Sequence, residues 1–247
     1  MRDFLVFDLG ETLLNFNLEG KWRETLKNEV IPRMFTALLS QSKEFNQKRV
    51  DPNLFSETVY KYIAVDGKEK KKVSMISRIK KYFEFFGIPQ YATYIQSQIA
   101  AFASTMQERV KIYPEVRETL EWLSEQEYTL GMWSDTPWQC PGSLIEQYMR
   151  KYNIRKYFDV ALFSGDREDK KPNPEVFQMV LDVAGKKKDQ MVYIGNSKKD
   201  ILTSKRFGIP IIWIDRIEAV HNLSEDTPQP DYIINSLIDL KDLLPID

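Results

Sequence analysis

Short apolar segments that alternate with amphipathic helical patterns constrain the fold of this chain more than any other feature. Each segment is bounded by polar or turn residues, which is typical of a strand buried on both faces of a parallel sheet. The strong candidates are residues 4–7, 129–133, 191–194 and 210–214, and the weaker ones are residues 160–163 and 232–234. Because helical patterns separate the strands, we predict an α/β fold with a Rossmann-like parallel sheet covered by helices on both faces.

The stretch from about Asn15 to about Lys111 interrupts this alternation. It contains long amphipathic helical patterns and almost no strand signal. The patterns cover residues 22–39, 52–62, 73–86 and 89–106, with breaks at Asp66-Gly67-Lys68 and Gly87-Ile88-Pro89. We therefore predict a core formed by residues 1–14 and 112–247, and an inserted all-helical cap domain formed by residues 15–111.

The composition makes several classes of protein improbable. A chain of 247 residues with 43% hydrophobic side chains can bury a substantial core. Its net charge of −1, from 35 basic and 36 acidic side chains, gives no long-range attraction to nucleic acid or to an anionic membrane. We interpret the basic run Lys68–Lys72 as a solvated helix start, because no aromatic side chain is interleaved with it. The sequence carries no signal that specifies an oligomeric state.

The cysteine content and the first residues indicate the compartment. Cys140 is the single cysteine, so no disulfide can form within the chain, which fits a reducing environment. Asp3 and Asp8 interrupt the short apolar run at the N-terminus, which excludes a signal peptide. No apolar run approaches the length of a membrane span. We expect a cytoplasmic protein that does not bind membranes.

Polar side chains follow three of the predicted strands, at the edge where open parallel sheets bind their ligands. They are Asp8, Gly10 and Thr12 after the first strand, Ser134 and Asp135 after the second, and Asn196 and Asp200 after the third. Lys171 stands before Pro172 and a predicted helix start. The order of a carboxylate, a hydroxyl, a lysine and a second carboxylate is far more specific than any one of these residues.

This order resembles the four motifs of the haloacid dehalogenase superfamily. The first motif, Asp-x-Asp-x-Thr after a hydrophobic strand, resembles FLVFDLGETL, and the second, a serine or threonine closing a strand, resembles LGMWSDT. The third, a lysine before proline and a helix, resembles DKKPNPEVF, and the fourth, Gly-Asp-Ser-x-x-Asp, resembles YIGNSKKDI. The resemblance covers the core, whereas the inserted segment matches the family's helical cap only by position and helicity.

The resemblance implies a hydrolase in which Asp8 attacks the substrate and forms a covalent aspartyl intermediate that water later cleaves. Its catalytic residues would be Asp8, Ser134 and Lys171. Lys171 would neutralise charge on the nucleophile and on a transferring phosphoryl group, and the cap would close over the site. The implied substrate is a small phosphate ester, and the implied cofactor is Mg²⁺. The implied substrate-binding residues are Thr12, Ser134, Asp135 and Lys171, and the implied metal ligands are Asp8, Gly10, Asn196 and Asp200.

Two positions depart from the family pattern. Gly10 replaces the second aspartate of the first motif, so its carbonyl can still bind a metal but no side chain can protonate a leaving group. The loss of a positioned acid typically costs about a hundredfold to ten-thousandfold in rate. Glu11 is the adjacent candidate replacement, although neighbouring residues at a strand end point in different directions. Asn196 replaces the first acidic residue of the fourth motif, which predicts weaker magnesium binding.

Three functions are compatible with these departures. The first, which we predict, is a magnesium-dependent phosphatase of reduced or narrow activity that acts on a good leaving group. The second is a metal-independent 2-haloacid dehalogenase, which needs a cap arginine such as Arg23 or Arg33 to bind carboxylate and halide. The third is a binding or regulatory protein that retains the fold without turnover. The fold alone does not decide between them.

Overall fold

The structure is a computed structural model, and it describes residues 2–16, 21–64, 73–216, 223 and 226–246. The basic run Lys68–Lys72 lies outside the described residues. Backbone contacts divide the chain into two compact units. The sheet unit comprises Met1–Asn15, Lys111–Asp135 and Ile145–Asp247, and the helical unit comprises Phe16–Val110 and Thr136–Leu144.

The helical unit contains helices at the four predicted amphipathic patterns and one short helix, Lys43–Gln47, that was not predicted. They are α1 (Trp22–Thr25), which continues through a π-helical turn (Leu26–Val30) into α2 (Ile31–Gln41), then α3 (Lys43–Gln47), α4 (Pro52–Ile63), α5 (Met75–Phe86) and α6 (Ala92–Arg109). Asp51 begins α4 by accepting hydrogen bonds from the amides of Asn53 and Leu54 at 2.9 and 3.0 Å. Gly87, with φ of 59°, ends α5 in the left-handed conformation that favours glycine. In the described part of the chain, no helix has both the length and the apolar character needed to cross a bilayer.

Aromatic side chains fill the interior of the helical unit. Phe55 stacks on Phe86 with ring centres 5.5 Å apart, and Phe45 contacts both rings edge-on. A buried polar pair lies in the same unit, where Tyr82 Oη donates to Gln98 Oε1 at 2.8 Å. The Gln98 amide in turn donates to the Met34 carbonyl at 3.0 Å. These polar groups satisfy one another, so their burial carries little penalty.

The segment Thr136–Leu144 groups with the helical unit, which differs from the sequence prediction that placed it in the core. The Trp138 ring contacts the Trp22 ring at 5.3 Å and the Phe102 ring at 5.5 Å, both edge-on. A loop tryptophan has no periodicity that reveals its partners, so sequence reasoning assigned the segment by its neighbours along the chain.

The sheet unit is built on six parallel strands in the order β5-β4-β1-β6-β7-β8, with a separate antiparallel pair β2–β3. The strands are β1 (Phe4–Phe7), β2 (Leu14–Asn15), β3 (Lys111–Ile112), β4 (Thr129–Ser134), β5 (Val160–Phe163), β6 (Met191–Gly195), β7 (Ile211–Ile214) and β8 (Tyr232–Ile234). The predicted α/β fold with a parallel sheet is therefore confirmed, including the two weaker strands. The short pair β2–β3 carries no sequence signal and was not predicted.

The central strands are buried along their whole length. Every residue of β1, β6 and β7 is buried, which explains why these strands read as continuous apolar runs rather than as alternating ones. Gly131 in β4 leaves room for its neighbour, because a Cβ atom there would lie 2.8 Å from the Phe4 ring. The sheet thus fixes the positions of the strand ends that carry the predicted site.

Helices follow the strands of the sheet unit along the chain. They are α7 (Val116–Glu125), α8 (Gly142–Lys151), α9 (Glu175–Ala184), α10 (Lys198–Phe207) and α11 (Leu240–Leu243). Helix α9 buries Phe177 and Val180 in the same apolar cluster as Phe4 and Tyr193 of the sheet. Gly185 and Gly208 end α9 and α10 with positive φ angles of 64° and 77°.

Arg78 is a buried cation that joins two helices of the helical unit. Its Nη1 donates to the carbonyls of Tyr62 and Ile63 at 3.1 and 3.2 Å, at the end of α4. Its Nε donates to the Val73 carbonyl at 3.1 Å, just before α5. The guanidinium therefore supplies donors to carbonyl groups that a helix end leaves without partners inside the helix.

We expect Arg78→Ala to lower the free energy of unfolding by about 2 kcal/mol, because it removes a charged donor from buried carbonyl groups. Urea denaturation followed by circular dichroism measures the change. Lys80→Ala, an exposed substitution on the same helix, is the matched control and should change stability by less than about 0.5 kcal/mol. Equal stability of the two variants would contradict the assignment.

Candidate active site

The carboxyl ends of three neighbouring strands bring the first and second motifs together with the fourth. Strand β1 lies between β4 and β6, and Phe7 at its end pairs with Met132 on one side and Ile194 on the other. Asp8 follows directly, and its amide donates to the Ile194 carbonyl at 2.8 Å. Ser134 ends β4 at the same edge. The sheet register therefore places the predicted nucleophile between two strand ends.

A buried ammonium group lies at the centre of the site. Lys171 Nζ is 2.8 Å from Asp8 Oδ1, 2.5 Å from Asp200 Oδ1 and 3.0 Å from Tyr193 Oη. The Lys171 side chain is 3% exposed, and that of Asp200 is fully buried. A lysine ammonium has three N–H donors and no acceptor, so these three oxygens satisfy it completely. The lysine of the third motif and the carboxylates of the first and fourth thus form one cluster.

The electrostatics of this cluster are dominated by burial. Burial raises the pKa of Asp8 to about 7, Lys171 opposes that rise, and the charges of Asp200 and Asp135 add to it. Burial alone would lower the pKa of Lys171, but the carboxylates of Asp200 and Asp8 outweigh it and hold that pKa well above its usual value. Lys171 is therefore charged; Asp8 and Asp200 share its ammonium group, and Asp135 acts on it only through its charge.

Both oxygens of Asp200 already have partners. Oδ1 accepts from Lys171, while Oδ2 accepts from the amides of Asn196 and Ser197 at 3.2 and 2.8 Å and from Ser197 Oγ at 2.6 Å. Gly195 makes this possible, because a Cβ atom there would lie 2.6 Å from Asp200 Cγ. Asp200 thus anchors the start of α10 and the ammonium, whereas the family resemblance implied direct ligation of a metal.

Thr12 and Asn196 join the loops that follow β1 and β6. Thr12 is fully buried, and its Oγ1 donates to Asn196 Oδ1 at 3.3 Å. The Thr12 carbonyl accepts from Arg216 Nη2 at 2.8 Å. The resemblance implied that Thr12 binds substrate, and the hydrogen bond that the structure shows links its hydroxyl to Asn196.

Ser134 and Asp135 make local contacts around the lysine. Ser134 Oγ donates to the Asp135 carbonyl at 3.3 Å, a long hydrogen bond that a stronger acceptor would displace. Asp135 Oδ1 accepts from the backbone amide of Lys171 at 3.2 Å. Asp135 therefore fixes the main chain that carries the lysine.

A second network, absent from the sequence prediction, holds Glu11. Tyr113 Oη donates to Glu11 Oε2 at 2.9 Å, and the Arg216 guanidinium lies 3.6 Å from the centre of the Tyr113 ring. Arg216 Nη1 is also 2.7 Å from Glu115 Oε1. Glu11 has φ of 57°, a conformation that costs a non-glycine residue about 1–2 kcal/mol. Arg216 follows β7, which is the last of the four strongly predicted strands. Applying the strand-end rule to that strand as well would have made Arg216 a candidate site residue.

Oxygen atoms suited to a hard cation lie at the same strand ends. They belong to the Asp8 carboxylate, the Gly10 main chain and the Asn196 amide. Within the described ranges, no group of three or more His, Cys, Asp or Glu side chains is arranged to hold a metal ion. A cation here would therefore rely on one carboxylate and neutral oxygens. Burial raises the pKa of Asp8 most, and the neighbouring carboxyl groups of Asp200 and Asp135 add to that rise. A divalent cation beside Asp8 would offset both effects, so it fits the site on charge grounds.

Arg33, one of the two arginines that a dehalogenase could use, has a partner within the helical unit. Arg33 donates to both carboxylate oxygens of Glu108, at 2.7 and 2.6 Å. Arg23, the other candidate, is exposed on α1. A paired guanidinium must break two hydrogen bonds before it can bind a substrate carboxylate, so Arg33 gains no support for that role.

Comparison with known proteins gives consistent results. The sequence profile of the family described as haloacid dehalogenase-like hydrolase matches residues 5–214. The phosphoglycolate phosphatase of Escherichia coli is 30% identical over 141 residues, which are 56% of this chain and 53% of that protein. The phosphoglycolate phosphatase of Vibrio parahaemolyticus is 29% identical over 136 residues, 55% of this chain and 57% of that protein. The chain thus spans about half the length of the curated relatives it matches.

Solved structures share the fold over nearly the whole chain. The HAD phosphatase from Thermococcus onnurineus has a TM-score of 0.63 and 20% identity, covering 98% of this chain and 97% of that one. The 2-haloacid dehalogenase from Pseudomonas syringae pv. Tomato has a TM-score of 0.58 and 21% identity, covering 99% and 98%. At these identities the structural similarity establishes only the fold. The similar structures include both a phosphatase and a dehalogenase.

We expect Lys171→Met to lower the free energy of unfolding by about 3–5 kcal/mol, because it leaves Asp8 and Asp200 buried without their shared cation. Adding Asp200→Asn should recover part of this loss, since it removes one of the stranded charges. Urea denaturation of the single and double variants measures both effects. A double variant less stable than Lys171→Met would contradict the view that unpaired charge causes the loss.

Proposed function

Because this chain belongs to the haloacid dehalogenase-like hydrolase family, we propose that it hydrolyses a small phosphate ester through a covalent intermediate on Asp8. The observation that carries the proposal is the 2.8 Å contact between Asp8 Oδ1 and the buried Lys171 ammonium. It supplies a carboxylate beside a fixed cation at the edge where parallel sheets bind ligands. Phosphoglycolate, which appears in the names of the relatives, is the biological ester to compare with aryl esters, because its leaving group is an alkyl alcohol.

The reaction would proceed in two displacements. An oxygen of Asp8 forms a bond to phosphorus while the ester P–O bond breaks and its electron pair leaves with the alcohol oxygen. Water then attacks the phosphorus of the aspartyl phosphate, and the P–O bond to Asp8 breaks, which restores the carboxylate. One proton of the water stays on the released phosphate, and the other passes to solvent, where the alcohol oxygen takes up a proton. The Lys171 ammonium neutralises negative charge on Asp8 and on the phosphoryl oxygens in both steps. Ser134 Oγ, which makes a long hydrogen bond to the Asp135 carbonyl, would donate to a phosphoryl oxygen instead.

Magnesium is the cofactor that we propose. Asp8, the Gly10 carbonyl and the Asn196 amide oxygen would hold it, while Asp200 contributes charge through its bond to Lys171. The bound ion would neutralise phosphoryl oxygens and lower the pKa of Asp8, which keeps the nucleophile ionised. An amide in place of a carboxylate weakens magnesium binding. We therefore expect the protein with Asn196 to need a higher magnesium concentration for activity than a variant with an acidic residue at position 196.

The absence of a side chain at Gly10 determines which esters react fastest. Glu11 is the nearest carboxyl group along the chain, but Tyr113 holds one of its oxygens. A leaving group that departs as a stable anion needs no proton, whereas an alkyl alcohol does. The proposed enzyme therefore favours aryl esters and other esters with acidic leaving groups.

We expect Asp8→Asn to reduce hydrolysis of p-nitrophenyl phosphate by at least about a thousandfold, because an amide oxygen cannot form the covalent intermediate. Release of p-nitrophenol with magnesium present measures the rate. Asp242→Asn, an exposed substitution on α11, is the control and should retain full activity. Metal-independent turnover of a 2-haloacid would instead support the dehalogenase function, and a folded wild type without turnover would support a binding role.

We expect Gly10→Asp to accelerate hydrolysis of an alkyl phosphate by about a hundredfold while changing the rate for p-nitrophenyl phosphate by only a few fold. The new carboxyl group would protonate the poor leaving group and offer little to the good one. Gly10 does not have a positive φ, unlike Gly87, Gly185 and Gly208 of the described chain, so aspartate needs no strained backbone there. Equal acceleration of both esters would contradict the missing-acid explanation.

A further inference from the structure

Tyr193 is a fully buried tyrosine whose hydroxyl lies inside the charged cluster. It belongs to β6, where it lies opposite Val6 of β1, and Val6 in turn lies opposite Gly131 of β4. Its Oη reaches the Trp133 carbonyl on β4 at 3.0 Å. The Tyr193 side chain therefore reaches from β6 past β1 to β4, where it contacts the residue that precedes Ser134.

The hydrogen-bond directions at this hydroxyl follow from the chemistry of its two partners. The Lys171 ammonium, 3.0 Å away, can only donate, so Tyr193 Oη accepts from it. The Trp133 carbonyl can only accept, so the phenolic proton points toward it. The carbonyl thus fixes the proton and turns a lone pair of the phenol oxygen toward the lysine.

From this geometry we propose that Tyr193 is a positioning residue that aims the Lys171 ammonium at Asp8. Tyr193 and Asp200 together occupy two of the three N–H donors of Lys171, and the remaining donor lies on Asp8 Oδ1. Because the ammonium is tetrahedral, hydrogen bonds from two of its N–H groups largely fix the direction of the third. The proposal rests on the phosphatase function proposed above and adds a residue that precedes the Gly-Asp-Ser-x-x-Asp positions of the fourth motif and is not one of them.

The ring of Tyr193 is held independently of its hydroxyl. The Phe177 ring of α9 lies 4.6 Å from it, and both belong to the apolar cluster beneath the site. Replacement by phenylalanine therefore keeps the ring packing and removes only the acceptor from Lys171 and the donor to Trp133. This makes Tyr193→Phe a selective test of the hydroxyl.

We expect Tyr193→Phe to lower kcat for p-nitrophenyl phosphate by about tenfold with KM changed less than twofold, because a misdirected ammonium affects the reacting carboxylate more than substrate binding. Tyr82→Phe is the matched control, since it removes an equally buried, hydrogen-bonded hydroxyl from the helical unit. It should leave kcat unchanged. Equal kcat and KM in the two variants would overturn the proposal.

A second readout does not depend on turnover. In protein labelled with nitrogen-15 lysine, the Lys171 ammonium resonance, identified by its loss in Lys171→Arg, should shift in Tyr193→Phe and not in Tyr82→Phe. If the wild type has no phosphatase activity, the proposed function fails, and this shift alone decides whether Tyr193 holds the lysine. If Tyr193→Phe does not fold, a nuclear Overhauser contact between the ammonium and the Tyr193 ring in the wild type decides, and its absence would overturn the proposal.

Discussion

The burial of one ammonium group determines the arrangement of the whole site. A lysine side chain withdrawn from water must satisfy three N–H donors, and here it does so with Asp8, Asp200 and Tyr193. These acceptors come from strands β1 and β6 and from the start of α10, so the site forms only when the sheet register is correct. Gly195 and the amide of Ser197 then hold Asp200 in place. Stability and proposed chemistry therefore depend on the same contacts.

This cluster is arranged to manage charge rather than to transfer protons. Two carboxylates, those of Asp8 and Asp200, contact one ammonium, whereas position 10 has no side chain to serve as an acid. Glu11 lies next to it along the chain, but its hydrogen bond from Tyr113 ties it to a separate network that includes Arg216. The proposed phosphatase thus combines strong stabilisation of a phosphoryl group with weak assistance to the leaving group. Dehalogenation would use the same carboxylate nucleophile beside the Lys171 ammonium, and its halide leaving group would need no proton. Direct measurement of the reaction must therefore separate the two functions.

The sequence predicted the sheet and the motif residues because both follow from local patterns. Buried parallel strands have the pattern of apolar runs, and the strand-end rule predicts Asp8, Ser134 and Asn196 as candidate site residues. The partners of these residues were not predictable in the same way. Tyr193 lies inside an apolar run and reads as core, although its hydroxyl belongs to the site. Asp200 was expected to bind a metal, and only the structure shows that both its oxygens have protein partners.

Detection of the covalent intermediate tests the central claim most directly. Wild-type protein would be mixed with p-nitrophenyl phosphate and magnesium, quenched in acid within a turnover, digested and analysed by peptide mass spectrometry. The account predicts a phosphoryl group on the peptide that contains Asp8, and no such peptide from Asp8→Asn. Turnover with the phosphoryl group on another residue would contradict the account. Turnover without any modified peptide would also contradict it, under conditions where the phosphoenzyme forms faster than water cleaves it.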